Sequence, residues 1–82
     1  PQKSVEKEKT LKLALRLDGK NVEALNQLGK LAYEKTNYKE AINHFQTAQG
    51  INAETADRFY LGMSFLQLDK FKEAKQIFAE LS

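Results

Sequence analysis

Leu28-Gly29-Lys30-Leu31-Ala32-Tyr33, followed by Tyr38-Lys39-Glu40-Ala41-Ile42-Asn43-His44-Phe45, is the stretch that decides the fold. Its pattern returns 33 residues later in Leu61-Gly62 and Phe71-Lys72-Glu73-Ala74-Lys75-Gln76-Ile77-Phe78. Leu28 falls on Leu61, Gly29 on Gly62, Tyr38 on Phe71, Glu40 on Glu73, Ala41 on Ala74 and Phe45 on Phe78. An accidental run would not hold register across two apolar-periodic segments and the break between them, so the period reports a duplicated helical hairpin.

Outward from this stretch, apolar residues recur at spacings of three and four, and the single proline is Pro1. The pattern reads as all-helical and predicts about five helices, over 5–17, 22–35, 38–50, 55–68 and 71–81. Asp18-Gly19-Lys20-Asn21 closes the first, with Gly19 free to turn left-handed and Asn21 placed to cap the second. Thr36-Asn37 breaks the second, and Asn37 with Glu40 three residues on suggests a capping box for the third. Gly50-Ile51-Asn52-Ala53 closes the third, Asn52 or Thr55 is expected to start the fourth with Asp57 in its first turn, and Asp69-Lys70 makes the last break. Short loops make successive helices antiparallel neighbours.

Each hairpin thus has a leading A helix and a following B helix. Glycine inside a helix costs about 0.8–1 kcal/mol relative to alanine, so Gly29 and Gly62 at matched positions imply close approach, as do Ala41 and Ala74 on the B helices. Tyr38, Phe45, Phe71 and Phe78 are expected to fill space between hairpins, each contributing roughly 1.5–3 kcal/mol if fully buried.

The composition fits one folded domain over 1–82, with 41% hydrophobic and 29% charged residues and short apolar runs that predict no membrane span. A core this small has little reserve, so stacking between hairpins must supply much of the stability. The net charge is only +2, and acids interleave with bases in Glu6-Lys7-Glu8-Lys9 and Lys70-Phe71-Lys72-Glu73. Such faces are solvated and laced with pairs such as Glu8 and Lys12, and they argue against nucleic acid. With no cysteine, neither a disulfide framework nor a thiolate metal site can form. The chain opens at Pro1 as an excised segment of a longer protein would.

These residues resemble the tetratricopeptide repeat family. Asn21-Val22-Glu23-Ala24-Leu25-Asn26-Gln27-Leu28-Gly29, Asn37-Tyr38-Lys39-Glu40-Ala41-Ile42, Phe45 and Ala48 look like one complete repeat. Arg58-Phe59-Tyr60-Leu61-Gly62, Phe65, Phe71-Lys72-Glu73-Ala74, Phe78 and Leu81 look like a second, and Leu11, Ala14 and Leu17 like the B helix of a preceding one. The resemblance implies about two and a half repeats, stacked as an α-solenoid. Leu25 and Arg58 stand where the family often has a bulky aromatic, Thr36 replaces the usual turn glycine, and Gly19 and Ala53 replace a common proline. Lys7, standing where the repeats have Ala41 and Ala74, predicts a loosely packed first helix.

No catalytic constellation is legible. His44 is the only histidine, Ser4, Ser64 and Ser82 have no histidine to activate them, and Glu6 and Glu8 point to different helix faces. No metal, no cofactor and no enzymatic activity are expected. The resemblance implies instead a concave binding face on the A helices, made of Glu23, Asn26, Gln27, Lys30 and Glu34 on one and Phe59, Tyr60, Met63 and Gln67 on the other. Leu25, Leu28, Leu31 and Ala32 face inward on the first. The second is apolar around most of its circumference, so it must be buried on more than one side or present a second apolar stripe. Phe59, Tyr60 and Met63 therefore read either as a ligand patch or as packing for neighbouring hairpins. The family's clamp for acidic chaperone tails does not carry over, because Ala56 and Tyr60 replace its lysine and arginine. Arg58-Phe59-Tyr60-Leu61-Gly62 is also similar to a short segment of bacterial type III secretion chaperones. The expected function is a protein-interaction module that binds a peptide or amphipathic helix in the groove. The alternative is a structural scaffold that self-associates or packs on further repeats through its uncapped ends, such as the C-terminal helix with Ile77, Phe78 and Leu81.

Overall fold

The computed structural model describes residues 2–82 as five helices: α1 (Gln2–Leu17), α2 (Val22–Glu34), α3 (Tyr38–Ile51), α4 (Arg58–Gln67) and α5 (Phe71–Leu81). The all-α reading and the five-helix count hold over these residues. Each helix packs on its neighbours in sequence and α2 also reaches α4, so α2–α3 and α4–α5 are successive hairpins of one stack, with α1 docked on α2.

The termini show which expectations about local chemistry were right. Asn21 caps α2, its Oδ1 accepting from the backbone N–H of Ala24 at 3.0 Å. Asn37 precedes α3 without a side-chain capping bond, so the capping box does not form. The fourth helix begins at Arg58, later than expected, because Asp57 is its N-cap and accepts from the N–H of Tyr60 at 3.1 Å. Asn52 lies in the preceding loop, where its Oδ1 accepts from the N–H of Glu54 at 3.0 Å and holds a turn. Gly19 does not turn left-handed; among the described residues positive φ occurs only at Thr36 (61°) and Asp69 (60°). Those two lie 33 residues apart, so the repeat extends to its turn. At each, the following N–H reaches back to close the helix, Asn37 to the Ala32 carbonyl at 2.8 Å and Lys70 to the Phe65 carbonyl at 2.9 Å, the pattern of a left-handed helix stop.

The glycines do what their matched placement implied. A Cβ at Gly29 would lie 2.6 Å from the ring of Phe45, and one at Gly62 would lie 2.8 Å from the ring of Phe78. Each B-helix phenylalanine lies against the glycine of its own A helix. Ala41 and Ala74 are fully buried, and with Ala32, Phe45, Leu61 and Phe65 they form the core between hairpins. A second cluster of Leu25, Ala48 and Ala56 receives Leu15, the anchor of α1 in that cluster. Phe71 departs from expectation: it is 62% exposed, while Phe78 is half-buried and Phe45 sealed. The first helix starts at Gln2, three residues before expectation, and runs unbroken, yet none of its residues 3–17 is fully buried, in line with Lys7 standing in an alanine position.

Candidate functional site

The seam where α2 meets α4 is built around Asp57. Its Oδ1 caps α4, its Oδ2 lies 3.3 Å from the Lys30 ammonium, and its backbone N–H donates to Asn26 Oδ1 at 2.9 Å. Asn26 completes the junction by donating from Nδ2 to the Thr55 carbonyl at 2.9 Å. One asparagine thus holds both the donor and the acceptor that the α3–α4 loop presents, which fixes where α4 starts. Hydrogen bonds of this kind contribute about 0.5–1.5 kcal/mol each.

Further along the seam the contacts become aromatic. Tyr33 meets Tyr60 edge to face at 5.4 Å and Tyr38 at 5.2 Å, so it ties α2 to both α4 and α3. Its hydroxyl accepts from Gln67 Nε2 at 3.2 Å. Tyr60 also stacks near Phe45 at 6.3 Å, with the Lys30 ammonium 5.4 Å from its ring centroid. Aromatic pairs of this kind contribute about 0.5–1.5 kcal/mol beyond their area.

The residues expected in the groove therefore separate into three sets, with Glu34 apart from all of them. Asn26, Lys30, Tyr60 and Gln67 come together in the seam, bonded to one another's elements. Glu23 and Gln27 pair on the outer turn of α2 at 3.4 Å. Phe59 remains 55% exposed, with its ring 5.8 Å from Tyr60 and 6.0 Å from Phe78, and Met63 is half-buried one turn along. The apolar circumference of α4 resolves both ways: Leu61, Gly62, Ser64 and Phe65 are buried, Tyr60 packs on the first hairpin, and Phe59 with Met63 forms a separate stripe. Glu34 is exposed at the end of α2.

Sequence reasoning missed Tyr33 and Asp57 as organisers of this seam. A signal for Asp57 existed in its place immediately before an apolar run, which suits an N-cap. Nothing local marks Tyr33, because its partners lie on α3 and α4.

Electrostatic perturbation sits elsewhere. The Glu8 carboxyl on α1 is held down to about 2 by hydrogen bonds first from Lys35 and then from Lys12, whose ammonium groups lie 2.6 and 2.9 Å away. Burial pushes His44 below the ordinary histidine value. A cleft of about 240 Å³ opens beside this pairing, lined by Ser4, Val5, Leu31, Glu34 and Lys35. It is smaller than the roughly 300–1,000 Å³ of ordinary small-molecule sites. Among the described residues, no three His, Cys, Asp or Glu side chains are grouped to hold a metal, and no helix is long and apolar enough to cross a membrane.

Comparison with known proteins gives one family. Residues 22–55, which comprise α2, α3 and most of the loop to α4, match the family model described as tetratricopeptide repeat. No curated protein and no solved structure gives a significant match to the chain.

Proposed function

Since residues 22–55 match the tetratricopeptide repeat model, we propose that this chain holds an extended peptide or an amphipathic helix against the concave side of α2 and α4. Repeats of this family generally mediate protein–protein interactions and form a non-enzymatic module, so the partner is a protein. The observation that carries the finer reading is Phe59, a large aromatic left 55% exposed between Tyr60 and Phe78. Phe59 and Met63 would supply apolar contact of an adaptable kind. The edge of Tyr60 would continue that surface, while Glu23, Gln27, Lys30 and Gln67 would fix orientation by hydrogen bonds. Asn26 would act by holding the groove in shape, since both ends of its amide are already engaged.

The experiment is a double substitution, Phe59→Ser with Met63→Ser, assayed by thermal melting and by capture of apolar-anchored peptides from an immobilised library. The reading expects peptide capture to fall about tenfold or more, with the melting temperature within a few degrees of the parent. A large drop in melting temperature would instead place both residues in the packing of the stack.

A second reading, self-association through the α4–α5 end, is favoured by Phe71 at 62% and Leu81 at 42% exposure there. Light scattering over a concentration series separates the two, because a monomer at every concentration rules out the second.

A further inference from the structure

The three B helices can be compared in register, and their outward faces differ in kind. Asn43, Gln46, Thr47 and Gly50 are all exposed on α3, and Gln76, Ala79 and Glu80 are exposed at the corresponding places on α5. These faces are small and polar, and the one acid among them, Glu80, lies 3.8 Å from Arg58. On α1 the same places hold Lys9, Lys12, Leu13 and Arg16, all exposed. Leu13 is 52% exposed where its counterpart is a threonine, and Leu17, four residues on, is 81% exposed against 38% for its counterpart Ile51. The helix carries five basic side chains against two acidic ones, an excess larger than the +2 of the whole chain. One of those acids, Glu8, is already held by Lys12 and Lys35, whereas Lys9 and Arg16 form no ion pair among the described residues.

We propose that the outward face of α1 docks an acidic amphipathic helix of a protein partner. Leu13 and Leu17 lie one turn apart and form an apolar seam one side chain wide, the width that a second helix covers. Lys9, Lys12 and Arg16 border that seam as a basic row. A partner helix with leucine-like residues at spacings of three and four and carboxylates beside them would meet apolar surface with apolar surface and bases with acids. A lipid surface fits less well, since α1 has no aromatic residue and bears Glu6 among its exposed residues, whereas helices that lie in membranes carry a broad apolar face with aromatic anchors. A second copy fits less well too, because the matching faces of α3 and α5 offer only Glu80. This surface is separate from the groove proposed above and stands whether or not the groove binds peptide.

The test is fluorescence anisotropy of the full chain against a labelled helical peptide carrying leucines four apart flanked by glutamates. A twin flanked by lysines serves as the second probe, and vesicles containing phosphatidylserine as the third. The acid-flanked peptide is expected to bind, more weakly as salt is raised, and the lysine-flanked twin is not. Leu13→Ser with Arg16→Glu should reduce the affinity about tenfold or more, equivalent to about 1.4 kcal/mol. Asn43→Glu with Gln46→Glu, at the matching places on α3, should leave it unchanged. All substituted positions are exposed, and circular dichroism confirms that each variant stays helical. Equal binding of both peptides, no binding of either, or vesicle binding alone would overturn the proposal. So would a dimer that Leu13→Ser dissolves, since the face would then be occupied by a second copy.

Discussion

Gly29 illustrates a conflict between local and tertiary demands at a single residue. Alanine there would improve helix propensity by about 0.8–1 kcal/mol, yet its Cβ would enter the ring of Phe45, which is 1% exposed and has nowhere to move. Overpacking of that kind costs about 1–3 kcal/mol, so Gly29→Ala should lower stability in chemical denaturation. Gly62→Ala should be milder or neutral, because its neighbour Phe78 is half-buried and can yield. Thr36 shows the reverse situation, a β-branched residue with φ of 61° where left-handed geometry costs about 1–2 kcal/mol. Thr36→Gly should therefore raise stability by about 1 kcal/mol, visible as a melting-temperature increase of about 4–8 °C for a domain of this size. The sequence marked both glycines through their repeat. It also marked Thr36 as a departure from the turn glycine of the family, although the left-handed φ itself appears only in the folded turn.

At the scale of elements, α4 depends on contacts made outside its own sequence. Its first turn is fixed by the Asp57 carboxylate, and Asp57 is fixed by Asn26 and Lys30 on α2. Asp57→Ala removes a cap worth about 0.5–2 kcal/mol and an ion pair that, being partly exposed, adds at most about 1 kcal/mol. The urea midpoint should fall accordingly. Asp57→Asn keeps a capping oxygen and should recover most of the loss. The boundary of α4 was the least legible of the five because the loop from Asn52 to Asp57 offers three plausible caps. Local preference cannot rank them; the Asn26 clamp selects Asp57. By contrast α2 and α5, whose apolar stripes are regular and whose ends are sharply broken, fall within a residue of expectation.

For the molecule as a whole, acid should loosen the stack in two stages. His44 is buried enough that its folded value lies below the 6.5 of an ordinary histidine. The unfolded chain takes up that proton first, and stability falls as pH drops through about 6.5. Glu8 behaves in the usual carboxylate sense: with its folded value near 2 and an unfolded value of 4.5, its contribution is full above 4.5 and is lost as pH falls from there toward 2. Melting temperatures measured from pH 8 to pH 2.5 should show both stages. His44→Asn should remove the upper stage and Glu8→Gln the lower. Glu8 links α1 to α2 through Lys35, so the lower stage reports on the docking of α1.

The sequence by itself determined that the chain is helical, that it is built from duplicated hairpins and, Phe71 apart, which of the repeated residues pack within them. A period of 33 residues and matched glycines are properties of the chain that survive without coordinates. Only the tertiary structure decided which faces remain open. It drew Tyr60, Lys30, Asn26 and Gln67 into the seam between α2 and α4, and it left Phe59, Leu13 and Leu17 exposed. The physical reason is that periodicity reports which side of a helix is apolar, whereas exposure depends on whether a neighbour from another part of the chain arrives to cover it.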